Sequence, residues 1–571
     1  MLAALAMAVA VAAAVAAASS AAPPPTVVIS ADVRFGAAAL PNFSSHLTQW
    51  AYDGWTQPLS AADRAAYPFL TTVTLFTATG GCYEGFPGCT SRRDLLADPT
   101  DRASPYAFGP LLNALGNITA SGLRPYIVTG GVPIAYSAAP VLGGFGFNTQ
   151  PPDDYELYAR YIGALADAAV ARFGLTAVRG WKWGVYTEYN NPDWLAGNAS
   201  SFFALYDWTA CALEGALGSG FVDIGAHACT QCGGAAWDSL ALLDHVASGT
   251  NACTGALGAP MTWFSLSFYE TQVGAPGDLG WLAQQVLPAR ARAAALGLNI
   301  SSFGIDEGRL LQGVDQLPLM TRAVGATYQA SWDALFTSEL LGGGFDYYSR
   351  WALNTGGGAG DAAGQVDPVS TNVARLFARL SGMARLPSTN ATAARAPCFH
   401  STSACPASTS TTALSAPAIV DGIVAFDAPS ATLRALVFRH HVDAADVGLS
   451  VASLRVCGFA PPAQPPRAVA GTIWRVDDSH AQFWGAFQAD VRAYNWSSFL
   501  PGWSPSGETV QLTSASELSQ YQARVPAYQA LAALAAEPAT ASLGADGCLG
   551  HDATLGGHAV LLSEWQGVVA A

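Results

Sequence analysis

The chain has 571 residues, of which 51% are hydrophobic and 12% charged, and its formal net charge is −15 at pH 7. The length is too great for one ordinary domain, and the hydrophobic content is sufficient for more than one core. The charge argues against nucleic acid and anionic membrane surfaces as partners, because there is no basic excess to neutralise phosphates.

The first 22 residues form an apolar, alanine-rich run that ends in small residues, and Pro23–Pro25 follow it. This pattern predicts a secretory signal peptide over 1–22, although a basic region at its start is missing. A signal anchor is the alternative. No later apolar run is long enough to span a bilayer. We therefore expect a secreted or lumenal protein with no membrane attachment beyond this signal.

Ten cysteines, an even number, indicate an oxidising compartment. Two pairs are close enough in sequence to close small disulfide loops: Cys82 with Cys89, and Cys398 with Cys405. Cys229 and Cys232 resemble half of a zinc site beside His227. The second half of such a site is absent, so disulfides are favoured and no metal is expected.

Six N-x-Ser/Thr sequons are present, and they begin at Asn42, Asn117, Asn198, Asn299, Asn390 and Asn495. If a eukaryote secretes the chain, several of them are expected to be glycosylated surface sites.

Predicted strands and helices alternate from about residue 40 to 385. The eight predicted strands lie near 40–47, at 69–76 and 124–129, in a run that ends at 188, and at 221–226, 262–268, 300–307 and 345–353. Apolar residues at helical spacing predict the main helices near 155–173, 202–217, 279–296 and 328–341. Alternation implies a parallel sheet, and eight units imply a (β/α)₈ TIM barrel, here assigned to residues 27–385.

The pattern changes after residue 385. Residues 386–418 are rich in Ser, Thr, Ala and Pro, which predicts a linker or long loop. Short β-rich runs then dominate 419–571 and predict a smaller, antiparallel β-sandwich domain. An early strand at 26–30 lies outside the barrel count and is a candidate for pairing with that domain.

Glu188 and Glu307 each close an apolar, β-rich run, and a loop follows each of them. In a (β/α)₈ barrel the active site forms at the carboxyl ends of the strands. Two facing carboxylates there can carry out glycoside hydrolysis, one as acid/base and one as nucleophile. Asp306 competes with Glu307, but neighbours on a strand face opposite sides, so only one of them is expected to face the centre.

Five motifs carry a family resemblance, namely Gly130-Gly-Val-Pro133, Arg172–Trp181, Thr187-Glu188, Ile305-Asp306-Glu307 and Trp474–His480. In order and spacing they resemble glycoside hydrolase family 39, which holds β-xylosidases and α-L-iduronidases. The resemblance covers nearly the whole mature chain and implies that Glu188 is the acid/base and Glu307 the nucleophile. The chain departs from the family where Thr187 replaces the Asn before the acid/base and where Tyr189-Asn190 precede Asn191-Pro192.

Five further residues are candidate substrate contacts, namely His46, Thr187, Asn191, Tyr269 and Trp351. Thr187, Asn190 or Asn191 would replace the family's Asn at the sugar 2-hydroxyl. Tyr269 is expected to contact the nucleophile, and Trp351 to stack on a sugar ring. For His46, Tyr269 and Trp351 a purely structural role is the alternative.

The sequence thus predicts a retaining glycosidase that needs no cofactor and acts on a glycoside, oligosaccharide or polysaccharide. A β-xylosidase-like activity is favoured, because Ser267 and Tyr269 stand where the resemblance to iduronidases implies His and Lys, and a uronate needs a cation. A catalytically inactive carbohydrate-binding protein on the same fold is the alternative. Lys182, the only lysine, lies towards the wrong end of its strand for a Schiff-base aldolase. The oligomeric state stays open.

Overall fold

The computed structural model describes residues 23–571 except 37, 90–93, 231–236, 271–281, 283–285, 311–325, 351–365, 367–368, 391–416, 444 and 499–511. The predicted signal peptide, the pair Cys398/Cys405 and most of the predicted linker lie outside the described residues.

The first body of the structure is a parallel barrel. Strand β1 (Thr26–Asp32) precedes it, and its eight strands are β2 (His46–Ala51), β3 (Thr72–Thr77), β4 (Arg124–Val128), β5 (Lys182–Gly184), β6 (Asp223–Cys229), β7 (Trp263–Glu270), β8 (Ser302–Leu310) and β9 (Tyr347–Tyr348). Each strand pairs in parallel with the next. The backbone N–H of Tyr348 donates to the carbonyl of Phe43 at 2.9 Å, which brings β9 back to the segment before β2. The predicted (β/α)₈ barrel is confirmed.

Helices surround this barrel, and three of them begin at a side-chain cap. They are α1 (Ala61–Ala66), α2 (Gly109–Ala120), α3 (Tyr155–Phe173), α4 (Leu175–Arg179), α5 (Ala199–Leu217), α6 (Ala241–Ser248), α7 (Pro288–Ala295), α8 (Thr327–Gly342) and α9 (Val369–Ala378). The side chain of Asp154 accepts from the N–H of Leu157 and begins α3, and Gly174, with a φ of 84°, ends it. Asn198 caps α5 in the same way.

A β-bulge interrupts the pairing of β7 with β8. Leu266 pairs with Ile305, but the next residue, Ser267, pairs with Glu307. Asp306 is therefore the extra residue of the bulge. The regular alternation of side chains between the two faces of β8 stops at this point.

The second body is a mostly antiparallel sheet that also contains β1. Its strands are β10 (Ala384–Leu386), β11 (Ser388–Asn390), β12 (Ile419–Asp427), β13 (Thr432–His440), β14 (Leu449–Cys457), β15 (Arg467–Val476), β16 (Glu537–Leu543), β17 (Leu549–Gly556) and β18 (Val560–Gln566), in the order β10-β12-β13-β18-β15-β16-β17-β14-β1-β11. Helices α10 (Trp484–Tyr494) and α11 (Ala515–Ala532) complete the domain. The early strand predicted at 26–30 does pair in this sheet, since β1 pairs with β14 and β11. Strands β10 and β11, which the sequence interpretation did not identify, also lie in it.

The apolar runs of β12 and β13 are buried on both faces. Ile423 and Phe438 belong to the core cluster of the barrel, whereas Val424 and Val437 belong to that of the second sheet. Two-sided burial explains why these strands read as continuous apolar runs and do not alternate with polar residues.

Three disulfide bonds lie within the described residues, joining Cys82 to Cys89, Cys211 to Cys253 and Cys457 to Cys548. The first of them was predicted and is confirmed. Cys229 is also disulfide-bonded. In the described part of the chain, no helix is both long enough and apolar enough to cross a membrane.

Candidate active site

Glu188 lies in the loop that follows β5, in an uncommon backbone conformation. Its φ is 41°, and Tyr186 two residues earlier has a φ of 64°. Residues other than glycine rarely adopt positive φ, and such strain concentrates at functional sites. The carboxyl is buried and accepts two hydrogen bonds: from the Ser267 hydroxyl at 2.5 Å and from the Asn191 amide at 2.7 Å. The loop thus presents an oriented carboxyl at the carboxyl end of the barrel.

The two residues that interrupt the family motif hold this loop in place. Tyr189 stacks on Phe202, with ring centroids 4.3 Å apart, and its hydroxyl donates to the carbonyl of Ser239. The side chain of Asn190 donates to the carbonyl of Cys229 at 2.9 Å and accepts from the N–H of the same residue at 2.7 Å. Asn190 therefore fastens the Glu188 loop to the end of β6.

Glu307, on β8, lies beside Glu188. It is buried, and the Tyr269 hydroxyl donates to its Oε2 at 2.9 Å. Burial raises the pKa of Glu307 well above its usual range, and the charge of Glu188 and a hydrogen bond with that side chain raise it further. Two adjacent, buried carboxyls are suited to acid–base and nucleophilic chemistry.

The expectation that only one of Asp306 and Glu307 faces the barrel centre is wrong. Asp306 accepts hydrogen bonds from Tyr126 on β4 and Tyr347 on β9, so its carboxyl also lies inside the barrel. The bulge in β8 is the physical reason, because the extra residue restores the inward direction one position early. The two carboxyls occupy different layers, since Glu307 meets Tyr269 and Glu188.

The candidate substrate contacts fall in different places. Asn191 and Tyr269 lie at the site: the Asn191 amide donates to Glu188, and the Tyr269 hydroxyl donates to Glu307. Thr187 is fully buried, and its hydroxyl donates to the backbone carbonyl of Phe76 at 3.3 Å. Its hydroxyl proton is thus used within the protein.

The structure places His46 away from this site. It is the first residue of β2, at the end of the barrel opposite to the glutamates, and its ring stacks on Tyr347 at 3.8 Å. This position corresponds to the structural alternative for His46, because the carboxyl ends of the strands form the site. Trp351 lies outside the described residues.

The sequence interpretation missed Ser267 as a contact of Glu188. Ser267 and Tyr269 are two residues apart on β7, so both point inwards, one to each glutamate. That spacing was a usable signal once Tyr269 had been assigned to the nucleophile.

The motif Gly130-Gly-Val-Pro133 marks a close backbone contact between the loops after β3 and β4. Gly131 has a φ of 81°, and a Cβ there would lie 2.0 Å from the carbonyl oxygen of Gly80. Only glycine fits both the conformation and the space. The contact joins two of the loops that surround the site.

A (β/α)₈ barrel with two adjacent, buried glutamates at the carboxyl ends of β5 and β8 has the architecture of a barrel glycosidase. Comparison with known families agrees. The model of the Glycosyl hydrolases family 39 matches residues 93–275, about a third of the chain, and this range includes Glu188. The resemblance to that family is confirmed.

Among characterised relatives, a β-xylosidase of Caldicellulosiruptor saccharolyticus is 32% identical over 95 residues, which are 16% of this chain and 20% of that protein. The chain thus matches about a fifth of the length of this relative. A solved family 39 enzyme from Xanthomonas axonopodis pv. citri superposes with a TM-score of 0.60 at 14% identity, over 95% of this chain and 98% of that one. A bacterial orthologue of human α-L-iduronidase superposes with a TM-score of 0.61 at 13% identity, over 96% and 84%. These similarities establish the fold.

Proposed function

We propose that the protein is a retaining glycoside hydrolase that cleaves O-glycosidic bonds by double displacement. The adjacent pair of Glu188 and Glu307 at the carboxyl end of the barrel is the observation that carries this proposal. Glu307 attacks the anomeric carbon, and Glu188 protonates the departing oxygen. Glu188 then takes a proton from water, which attacks the glycosyl-enzyme and releases the sugar with retained configuration.

The electrostatics couple the two carboxyls of the pair. The negative charge of Glu188 is one of the causes that raise the pKa of Glu307. Protonation of Glu188 removes that charge, so a protonated acid and an ionised nucleophile favour each other. The proposed roles therefore place the proton of the pair on Glu188 and the charge on Glu307. A separation of about 5–5.5 Å between the carboxyls is the retaining geometry we expect in the complex with substrate.

For the substrate we propose a β-xylosidase-like preference over an iduronidase-like one. The Ser267 hydroxyl and the Tyr269 hydroxyl are both engaged with the two glutamates. Neither is the cation that a uronate carboxylate needs. The 32% sequence identity to a β-xylosidase over 95 residues supports the same preference.

The alternative is a catalytically inactive carbohydrate-binding protein, which the departures at Thr187 and Tyr189-Asn190 suggest. The anchoring of Tyr189 and Asn190 speaks against it, because these residues fasten the loop and leave Glu188 beside Glu307. A mechanism-based fluoroglycoside separates the two hypotheses, since a binding protein would not be labelled at Glu307.

We also propose that the protein is secreted or lumenal, as the first 22 residues suggest. Its three described disulfide bonds support an oxidising compartment. Expression of the full chain in a eukaryotic secretory host, followed by N-terminal sequencing, tests whether these residues are removed.

Azide rescue tests the two roles after a screen of aryl glycosides has identified a substrate. Glu307→Ala should lose at least 10³-fold in kcat, on the order expected for a missing nucleophile, and azide should restore turnover with inverted product. Glu188→Ala should slow poor leaving groups most, because activated aryl groups need little protonation. Azide should restore this variant with retained configuration, since the anion replaces water at the glycosyl-enzyme.

Glu156→Ala is the matched control, because that carboxylate is 68% exposed on α3 and should leave kcat unchanged. Identical azide products from the Glu188 and Glu307 variants would mean that the roles are wrongly assigned. If neither variant changed the activity, the catalytic pair would lie elsewhere.

A further inference from the structure

Lys182, the only lysine among 571 residues, lies inside the barrel at the start of β5. It is 3% exposed, and its ammonium is enclosed by three rings whose centroids lie 4.5, 4.2 and 4.4 Å away, those of Tyr126, Trp263 and Tyr347. A buried ammonium in such a cage is costly unless an opposite charge compensates it. Because the group has no open approach, covalent chemistry at its nitrogen is excluded.

The compensating charge is the carboxylate of Asp306. Its Oδ2 accepts from the hydroxyls of Tyr126 and Ser265, both at 2.6 Å, and its Oδ1 accepts from the Tyr347 hydroxyl at 2.7 Å. All of these groups are buried. Three hydroxyl donors thus surround one carboxyl and leave Lys182 as the nearby cation that can balance its charge.

The Tyr347 hydroxyl connects the two charges. The Lys182 ammonium donates to the Tyr347 oxygen at 2.8 Å, and the same hydroxyl donates its proton to Asp306. Burial lowers the pKa of Lys182 to about 8, and the charge of Asp306 is the largest effect in the opposite direction. The ammonium therefore depends on Asp306 for its charge near neutral pH.

Asp306 directly precedes Glu307, and its charge also acts on that residue. It is one of the causes that raise the pKa of Glu307. An uncompensated carboxylate at Asp306 would therefore disfavour the ionised form that a nucleophile needs. The charge balance between Lys182 and Asp306 therefore affects Glu307, the next residue on β8.

We propose that Lys182 is the counter-ion of Asp306 and acts, through Tyr347 and Asp306, as a positioning residue for Glu307; this inference rests on the proposed function. The bulge in β8 makes the arrangement possible, because it turns Asp306 and Glu307 inwards as neighbours. Lys182 itself touches neither the substrate nor the reacting atoms.

Other titratable and charged groups also bear on this network, and the experiment must be read against them. They are Arg124 on β4, Asp223 and His227 on β6, His46 on β2, Asp346 before β9, Tyr126 and Tyr347 in the cage, and Glu188 above. None of them is changed in the variants below, so their contributions stay constant.

The first measurement does not need enzyme activity. Because the chain has a single lysine, labelling with ¹⁵N-lysine yields one side-chain Nζ resonance, whose titration reports Lys182 directly. In the wild type we expect a midpoint near pH 8. In D306N the midpoint should fall by about one unit or more, because the largest stabilising charge is lost. An unchanged midpoint in D306N would overturn the assignment of Asp306 as counter-ion.

The second measurement is the pH profile of kcat/KM, whose acid limb reports ionisation of the nucleophile in the free enzyme. Lys182→Met should move that limb to higher pH by about one unit, since Asp306 is left without its cation. K182M/D306N should return the limb to the wild-type position or below it. Ser265→Ala is the matched control, because it removes a neutral donor to the same carboxyl and should not move the limb.

A merely structural Lys182 would lower thermal stability without moving the acid limb, and that result would overturn the proposal. If K182M does not fold, K182M/D306N and D306N still decide the outcome, since neither retains a buried unpaired carboxylate at 306. A wild type without glycosidase activity would refute the proposed function, whereas the ¹⁵N titration would still test the Lys182–Asp306 pair. If the wild type is active but the acid limb of its pH profile does not move in K182M, only this inference is refuted.

Discussion

At the level of single residues, the two glutamates differ in their surroundings. Glu188 accepts hydrogen bonds from Ser267 and Asn191, whereas Glu307 accepts one from Tyr269 and is opposed by the charge of Glu188. A buried carboxyl next to a like charge destabilises the folded protein in its ionised form. The site therefore lowers the stability of the fold, and this cost should be measurable.

We predict that Glu307→Gln stabilises the protein by about 0.5–2 kcal/mol at pH 8 while abolishing turnover. Because the folded-state pKa of Glu307 is raised, the carboxyl costs nothing below its unfolded pKa, and the cost grows as pH rises through the folded pKa. The gain should therefore be small near pH 4 and largest at alkaline pH. Urea unfolding of both proteins across this range measures it.

The exposed Glu156→Gln is the control for that comparison and should change the stability little at either pH. A gain that is equal at pH 4 and pH 8 would come from packing and not from ionisation. It would contradict the raised pKa of Glu307.

The strand ends and the family resemblance together selected Glu188 and Glu307, and the structure places the two carboxyls side by side. The sequence was not sufficient to select Ser267 as the contact of Glu188, since the two residues belong to different strands and meet only in the folded barrel. Asp306 was excluded from the interior by an alternation rule that holds for regular strands. A bulge breaks that rule, and no residue type signals it here.

At the level of elements, the side chain of Asn190 is one of the contacts that hold the loop after β5 against β6. Asn190 is 4% exposed and bonds the N–H and the carbonyl of Cys229 and the carbonyl of Trp237. The clamp joins the Glu188 loop to Cys229, the last residue of β6. The backbone N–H of Tyr189 donates to the carbonyl of His227 at 3.1 Å, so the side chain of Asn190 and a backbone hydrogen bond together position the Glu188 loop.

We predict that Asn190→Ala lowers the unfolding free energy by about 1–3 kcal/mol, because buried backbone groups lose their partner. It should also lower kcat for poor leaving groups about tenfold or more, since Glu188 loses its orientation. Denaturant unfolding and a series of aryl leaving groups measure the two effects.

Asn198→Ala is the matched control, because Asn198 caps the exposed start of α5 with a single bond to Ser201. It should cost about 1 kcal/mol of stability and leave the leaving-group dependence unchanged. If both variants had the same kinetics, the Asn190 clamp would have no role in placing Glu188.

Elements with strong local signals agreed with the sequence. The helix predicted over 155–173 has those bounds because Asp154 and Gly174 cap it. Helix α2 was missed, since it begins at Gly109-Pro110 without a side-chain cap. Strand β16 was missed as well, because it contains Pro538 and several small, exposed residues that have low strand propensity.

At the level of the whole molecule, helix α8 of the barrel packs against the second sheet and so joins the two domains. Every residue from Thr327 to Leu341 is buried, and α8 contacts β12, β13 and β18. The motif at Trp474–His480 contributes to the same junction. The guanidinium of Arg379 lies 4.0 Å from the Trp474 ring, and the Thr327 hydroxyl donates to Asp478 at 2.6 Å.

This junction gives a structural role to the motif Trp474–His480, for which the family resemblance implied none. Trp474 also belongs to the core cluster of the barrel, although its strand lies in the second sheet. Since β1 and β10 lie in that sheet and flank the barrel in sequence, the chain crosses between the domains twice. The core of the barrel therefore continues into residues that belong to the second sheet.

We predict that the barrel and the second sheet unfold together in one transition. Phe438→Ala should lower the unfolding free energy by about 3–5 kcal/mol, because Phe438 is fully buried where β13 meets the barrel core. If the junction couples the domains, the loss of glycosidase activity and the calorimetric transition should shift to lower temperature by the same amount. Phe35→Ala is the control, because that ring is 66% exposed and should leave both temperatures unchanged. Two separate transitions in Phe438→Ala, with activity retained after the first, would contradict this prediction. The barrel would then be stable without the second sheet, and the shared core would not contribute to the stability of the active site.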